Sequence, residues 1–169
     1  MRKGDEGERK HECGPGRSWV LIIMQGLLGI GAIIGGGALI IDPSGNLVKM
    51  PDSLLEHSPF GSFLIPGIIL MLVLGVVPLI IAVSLIRYTH WKIGEKLNLY
   101  SNQYWGWTCS LYTGFALIIW IMAQVYWIQH VSVIHLVYFA WGVGIQIVTL
   151  LPGVQRKYQA DCSTKTSSL

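Results

Sequence analysis

The sequence predicts an all-α membrane protein: four transmembrane helices in an antiparallel bundle, with a short extracytoplasmic interfacial helix. Three observations carry this. Only 12% of the 169 residues are charged while 52% are hydrophobic, against about 25% charged in an ordinary soluble domain. No Asp, Glu, Lys or Arg occurs between Ser18 and Ile41, between His57 and Ile86, or from Leu97 to Gln155. The apolar runs are continuous rather than alternating every second residue, which excludes β-barrel strands.

A bilayer core of about 30 Å takes roughly 20 apolar residues as helix. The first two runs each supply one span, and the third is long enough for two. The predicted spans are 19–41, 63–86, 107–128 and 133–151. They form one transmembrane domain over 18–155, between tails at 1–17 and 156–169 that are polar and predicted to be disordered. The first run is about twice as long as a signal peptide's apolar region and no A-x-A site follows it, so it reads as a retained helix.

Eleven of the 12 Lys and Arg residues fall in the two tails and the loop between the second and third spans, leaving Lys49 alone on the other side. The positive-inside rule then places both termini in the cytoplasm of a cell (inner) membrane protein. The net charge of +3 marks topology and attraction to anionic lipid. Nucleic acid is not an expected partner, because the basic residues are short flanks of apolar helices rather than a soluble basic surface. Cys13, Cys109 and Cys162 all fall on the cytoplasmic side and form no C-x-x-C, so reduced thiols are expected.

The first span holds Gly31 and Gly35 as G-x-x-x-G, followed by Gly36 and Gly37. Gly106, Ser110 and Gly114 repeat a four-residue spacing at the third span, and Ala140 and Gly144 do so on the fourth. Small residues four apart let membrane helices approach closely. These faces are expected to pack the bundle or to meet a second copy or another membrane protein.

Between the first two spans, Asp42-Pro43-Ser44-Gly45 reads as a turn. Ser53 and Glu56 have capping-box spacing, which predicts the interfacial helix, ended by Ser58-Pro59. Pro66 falls in the first turn of the second span, and Pro78 is positioned to bend it. The loop after that span is rich in Tyr and Trp, the composition of a headgroup belt.

The spans hold no carboxylate, lysine or arginine, which counts against ion-coupled transport and voltage sensing. Their polar residues are chiefly Gln25, Gln124 and Gln146, with Ser84 and Thr149. Gln25 and Gln146 lie at a similar depth and are placed to hydrogen-bond between helices. On the outer side, Glu56, His57, His130 and His135 combine imidazole and carboxylate, a donor set suited to zinc or another divalent ion. No H-E-x-x-H or comparable spacing supports a catalytic metal, and no cofactor is otherwise predicted.

The pattern GGGALIIDPSGNL…SLLEHSPF…FLIPG, followed by the aromatic third and fourth spans, resembles a small prokaryotic family of uncharacterised four-span membrane proteins. The likeness covers about residues 19–155. It implies the architecture and supplies no catalytic residue. The functional expectation is a non-catalytic membrane interaction protein or accessory subunit. The alternatives are a small permease or transporter subunit for an uncharged solute, and a metal-binding enzyme or sensor at the outer face.

Overall fold

The computed structural model of the protein describes residues 17–48, 59–89, 91–100, 102–129 and 131–159. In chain order its helices are α1 (Trp19–Ile41), α2 (Leu64–Arg87), α3 (Lys92–Lys96), α4 (Trp105–Ile128), α5 (Val133–Leu150) and α6 (Pro152–Lys157). The four long ones contain 23, 24, 24 and 18 residues. At 1.5 Å per residue each is close to or longer than the ~30 Å hydrocarbon layer. Their outward faces agree with that: Ile23, Leu27, Ile30 and Ile34 form a stripe on α1, each more than half exposed. Such a stripe is stable against lipid and not against water. This is a multi-pass membrane protein.

α1 and α2 meet through glycine, but not through the expected pair. A Cβ on Gly36 would lie 2.7 Å from the Gly67 carbonyl oxygen, and one on Gly29 would lie 2.9 Å from that of Gly75. A Cβ on Gly31 or Gly35 would instead make only ordinary van der Waals contact, with nearest neighbours at 3.5 and 3.8 Å. The seam thus follows Gly29 and Gly36, seven apart, rather than the G-x-x-x-G spacing. Its partners on α2 are eight apart. The extra residue is absorbed where α2 widens into a π-helix over Leu70–Val76, with the Val77 N–H donating to Leu72 O. Pro78 follows at once. Its ring crowds the carbonyl four residues back and it has no N–H to donate, which is the reason for a distortion here.

α4 and α5 meet at Gly114 and Gly142, where a Cβ on either would lie 3.0–3.2 Å from the other's carbonyl oxygen. Further along, the Trp107 indole N–H donates to Thr149 O at 2.8 Å. A Cβ on Gly106 would lie 2.9 Å from the Ser84 hydroxyl, so this end of α4 packs on α2. Ser110 is fully buried and donates to Gly106 O. On α5 the expected pair is displaced. Ala140 is exposed, Gly144 touches only the tip of Met24, and the close approach belongs to Gly142, midway between them.

The end of the bundle that carries Arg17, Arg87 and Arg156 is closed by tyrosines. Tyr158 is fully buried and stacks near Tyr88 and Tyr104, with ring centroids 5.9 and 6.4 Å away. Its carbonyl accepts from the Tyr104 N–H at 2.7 Å, and its hydroxyl accepts from the Ser18 N–H at 3.1 Å. Gln103 and Gln159 form an antiparallel bridge beside it. The packed unit therefore runs to Gln159, beyond the expected boundary at 155, because Pro152 starts a new helical turn and Tyr158 has a pocket to enter. The expected headgroup belt is also divided. Trp91 and Tyr100 are exposed, whereas Tyr104 and Trp105 are buried. Loss of water around its ring pushes the Tyr88 phenol up to about 12, and the same cause raises those of Tyr104 and Tyr158.

At the opposite end the predicted turn follows α1. Asp42 accepts from the Ser44 hydroxyl and from the N–H groups of Leu47 (2.8 Å) and Ser44 (3.2 Å). These bonds, the Ser44 hydroxyl first, hold the carboxyl below its ordinary range. Gly45 takes φ 78°, the left-handed conformation such a turn requires. The expected interfacial helix around Ser53–Glu56 lies outside the described residues.

Candidate functional site: a cavity between the four spans

A cavity of about 190 Å³ lies between α1, α2, α4 and α5, with Val48 of the loop after α1 in its wall. Its walls are mostly aliphatic, including Leu28, Leu74, Leu117 and Ile121. Gly31 and Gly35 belong to this wall. Their missing side chains are what leaves the space, which explains why the G-x-x-x-G pair makes no tight contact.

Four polar side chains from two helices reach the same space: Trp120 and Gln124 from α4, His135 and Tyr138 from α5. Residues 120 and 124 are one turn apart, as are 135 and 138, so each pair shares a helix face. The Trp120 indole N–H is buried and has no hydrogen-bond partner among the described residues. His135 is buried at the start of α5, where its Nδ1 accepts from the Ser132 N–H at 3.2 Å. An accepting Nδ1 places the neutral ring's proton on Nε2. Ser132 and His135 form a reciprocal cap, so helix capping fixes the ring that lines the cavity.

None of the lining side chains is an acid, a lysine, an arginine or a cysteine. The arrangement can place hydrogen-bonding groups around an uncharged molecule. No carboxylate pair for acid–base work is among the lining residues.

The other predicted polar residues sit elsewhere. Gln25 is fully buried in the packed layer, its amide N–H 3.5 Å from Ser110 O and its carbonyl oxygen without a partner among the described residues. The Gln146 side chain lies against Gly114, and its amide nitrogen is buried without a partner among the described residues. The two amides do not bond to each other, contrary to expectation, because each is turned to the α4 backbone between Ser110 and Gly114. Thr149 and Ser84 donate to carbonyls of their own helices. Gln124, by contrast, lines the cavity.

Of the outer metal candidates only His135 is described; Glu56, His57 and His130 lie outside the described residues. Among the described residues no three His, Cys, Asp or Glu side chains gather closely enough to hold a metal ion. Trp120, Tyr138, Gly29, Gly67, Gly75 and Gly142 were not singled out by the sequence, and Gly36 was noted only as part of a glycine run. The seven-residue spacing of Gly29 and Gly36 was a signal available for the helix seam. Comparison of the chain with family models, with curated proteins and with solved structures finds no match, so the site is read from its own chemistry.

Proposed function

We propose that this chain is a non-catalytic accessory or interaction protein of a cell membrane, which binds an uncharged and mainly apolar molecule inside an antiparallel four-helix bundle. The observation that carries the reading is the cavity itself: aliphatic walls from all four spans, four polar groups, and no charge. Ligand sites of small molecules have this composition. Its size exceeds the ~150 Å³ apolar cavity that admits benzene or xenon in another protein, which points to a ligand of about that size or somewhat larger.

The bundle's antiparallel sense is supported by contact order. Along α1 the partners of Gly29, Ile33 and Gly36 fall from Leu79 through Gly75 to Gly67, and Gly114 and Ile118 of α4 face Gln146 and Gly142. The cytoplasmic placement of both termini is supported by eleven Lys and Arg residues at one end against Lys49 at the other.

A permease for the same class of solute is the competing reading, and Gln124 at the cavity favours it. It requires a path to the tyrosine-capped end, where Gln25, Leu21, Ile145 and Trp107 are packed to near-zero exposure. Binding without passage fits that packing better.

The test is the thermal midpoint of the purified protein titrated with 1-hexanol, wild type beside Gly31→Leu/Gly35→Leu. Both substitutions fill the cavity at positions with room and favour helix. A saturable rise in wild type that the double variant lacks supports the cavity as a site. An identical response in both removes it.

A further inference from the structure

We propose that the basic end of the bundle carries a site for one anionic phospholipid, its acyl chain in an apolar groove beside α2 and its phosphate on Arg87 and Lys92. The groove is separate from the central cavity, so the inference stands whether or not that cavity binds anything. It measures about 450 Å³ and is lined by Leu79, Ile80, Val83 and Ser84 of α2 and by Thr89, Trp91 and Trp105.

The groove is built by specific contacts. Tyr88, at φ 50°, ends α2 in the left-handed conformation and turns the chain back over the helix. The Thr89 carbonyl is then held by two donors, the Tyr104 hydroxyl and the Trp105 indole N–H, each at 2.8 Å. Gly94 lets α3 lie on the face of Trp105, where a Cβ would collide with the ring. Trp91 meets Trp105 edge-on at 5.7 Å between centroids. Two fixed indoles therefore close one end of a channel whose side wall is aliphatic.

Charge and depth name the occupant. Ile80 and Val83 are 40% and 50% exposed on a lipid-facing wall, so an acyl chain meets them without leaving the hydrocarbon. From Leu79 to Arg87 the helix rises about 12 Å, the depth of roughly one leaflet's chain region. Arg87 is one turn beyond Val83 on the same face, and Lys92 adjoins Trp91. Both cations are exposed, Arg87 in the last turn of α2 and Lys92 next in the chain to Trp91, which lines the groove. Glu95 is the one acid on α3, against Lys92 and Lys96. Two exposed cations on the segments that flank an apolar channel suit a phosphate diester with no balancing ammonium, and basic side chains at a membrane surface attract anionic lipid.

The experiment is native mass spectrometry of the detergent-purified protein offered equal amounts of phosphatidylglycerol and phosphatidylcholine with identical chains. Wild type is expected to retain phosphatidylglycerol preferentially, by about fivefold for each cation engaged. Arg87→Gln/Lys92→Gln should bring the ratio close to one. Arg156→Gln/Lys157→Gln, which removes the same charge from the same end away from the groove, should leave it. Val83→Trp should lower retention of both lipids by filling the channel. Equal retention of the two lipids by wild type overturns the proposal, and so does an equal fall in ratio in the two charge variants, which would mean a diffuse basic surface. All five side chains are exposed, and a thermal midpoint recorded for each variant confirms that loss of lipid is not loss of fold.

Discussion

The backbone N–H of Ser18 donates to the hydroxyl of Tyr158 at 3.1 Å, joining positions 140 residues apart in the chain. Ser18 precedes the first turn of α1, where the leading N–H groups of a helix have no partner within it. Both residues are buried, 5% and 0% exposed, so water is not available as a substitute. The last described turn of the protein thus completes the start of the first helix.

Removing that acceptor should matter more than removing a neighbouring hydroxyl of the same kind. Tyr158→Phe leaves the Ser18 N–H buried and unpaired, at a cost of about 1–3 kcal/mol. The Tyr88 hydroxyl is buried without a partner among the described residues, so Tyr88→Phe should be neutral or slightly stabilising. Equilibrium unfolding in mixed micelles separates the two. Equal effects would mean that ring packing alone holds this end.

The same tyrosines set an alkaline limit. A phenol whose pKa is raised in the folded state binds its proton more tightly there than when unfolded. Its contribution is complete below the ordinary value of 10 and is lost as pH climbs through the folded value. For Tyr88 that window runs from 10 to about 12, with Tyr104 and Tyr158 shifted in the same direction by the same desolvation. Stability should fall across it. Phenolate absorbance should show part of the seven tyrosines titrating late, together with unfolding. A single titration of all seven near 10 would contradict the buried cap.

The helix seams predict a contrast between adjacent glycines. A Cβ on Gly36 would lie 2.7 Å from the Gly67 carbonyl oxygen, a backbone atom that moves only with its helix. Gly36→Ala should therefore destabilise by about 1–3 kcal/mol. Gly37 has nothing within 4 Å of that position, and Gly37→Ala should stabilise by up to ~1 kcal/mol through helix propensity. Thermal midpoints of the two variants are expected to move in opposite directions.

These glycines also show what the sequence could convey. The number and extent of the spans were legible because charge is excluded from hydrocarbon, and α1 runs over the predicted residues. Which glycines touch was not legible, since it depends on how two helices are rotated, and a π-helical turn shifts the register of α2 by one residue. The G-x-x-x-G pair was read as a contact and is part of a cavity wall. Tyr158 was assigned to a tail because a single aromatic after a polar helix carries no periodicity. Of the cavity's polar groups, Gln124 and His135 stood out as polar atoms in apolar runs. Trp120 and Tyr138 did not, because aromatics are ordinary in membrane helices.

Gln25 and Gln146 allow a direct test of the packed layer below the cavity. The sequence places them at equal depth and predicts an amide–amide bond. The structure turns Gln25 toward Ser110 O at 3.5 Å and leaves its carbonyl oxygen and the Gln146 nitrogen without partners among the described residues. A weak bond and an unmet acceptor in a dry layer contribute little, and replacing both groups by apolar ones of similar shape can be neutral or favourable. Gln25→Leu and Gln146→Leu should each change stability by less than about 1 kcal/mol, and the double variant should equal their sum. Interhelical side-chain bonds in membranes give couplings of about 0.6–2 kcal/mol. A coupling in that range from the double-mutant cycle would mean that the two amides meet, directly or through a buried water, and that the sequence's simpler expectation describes this layer.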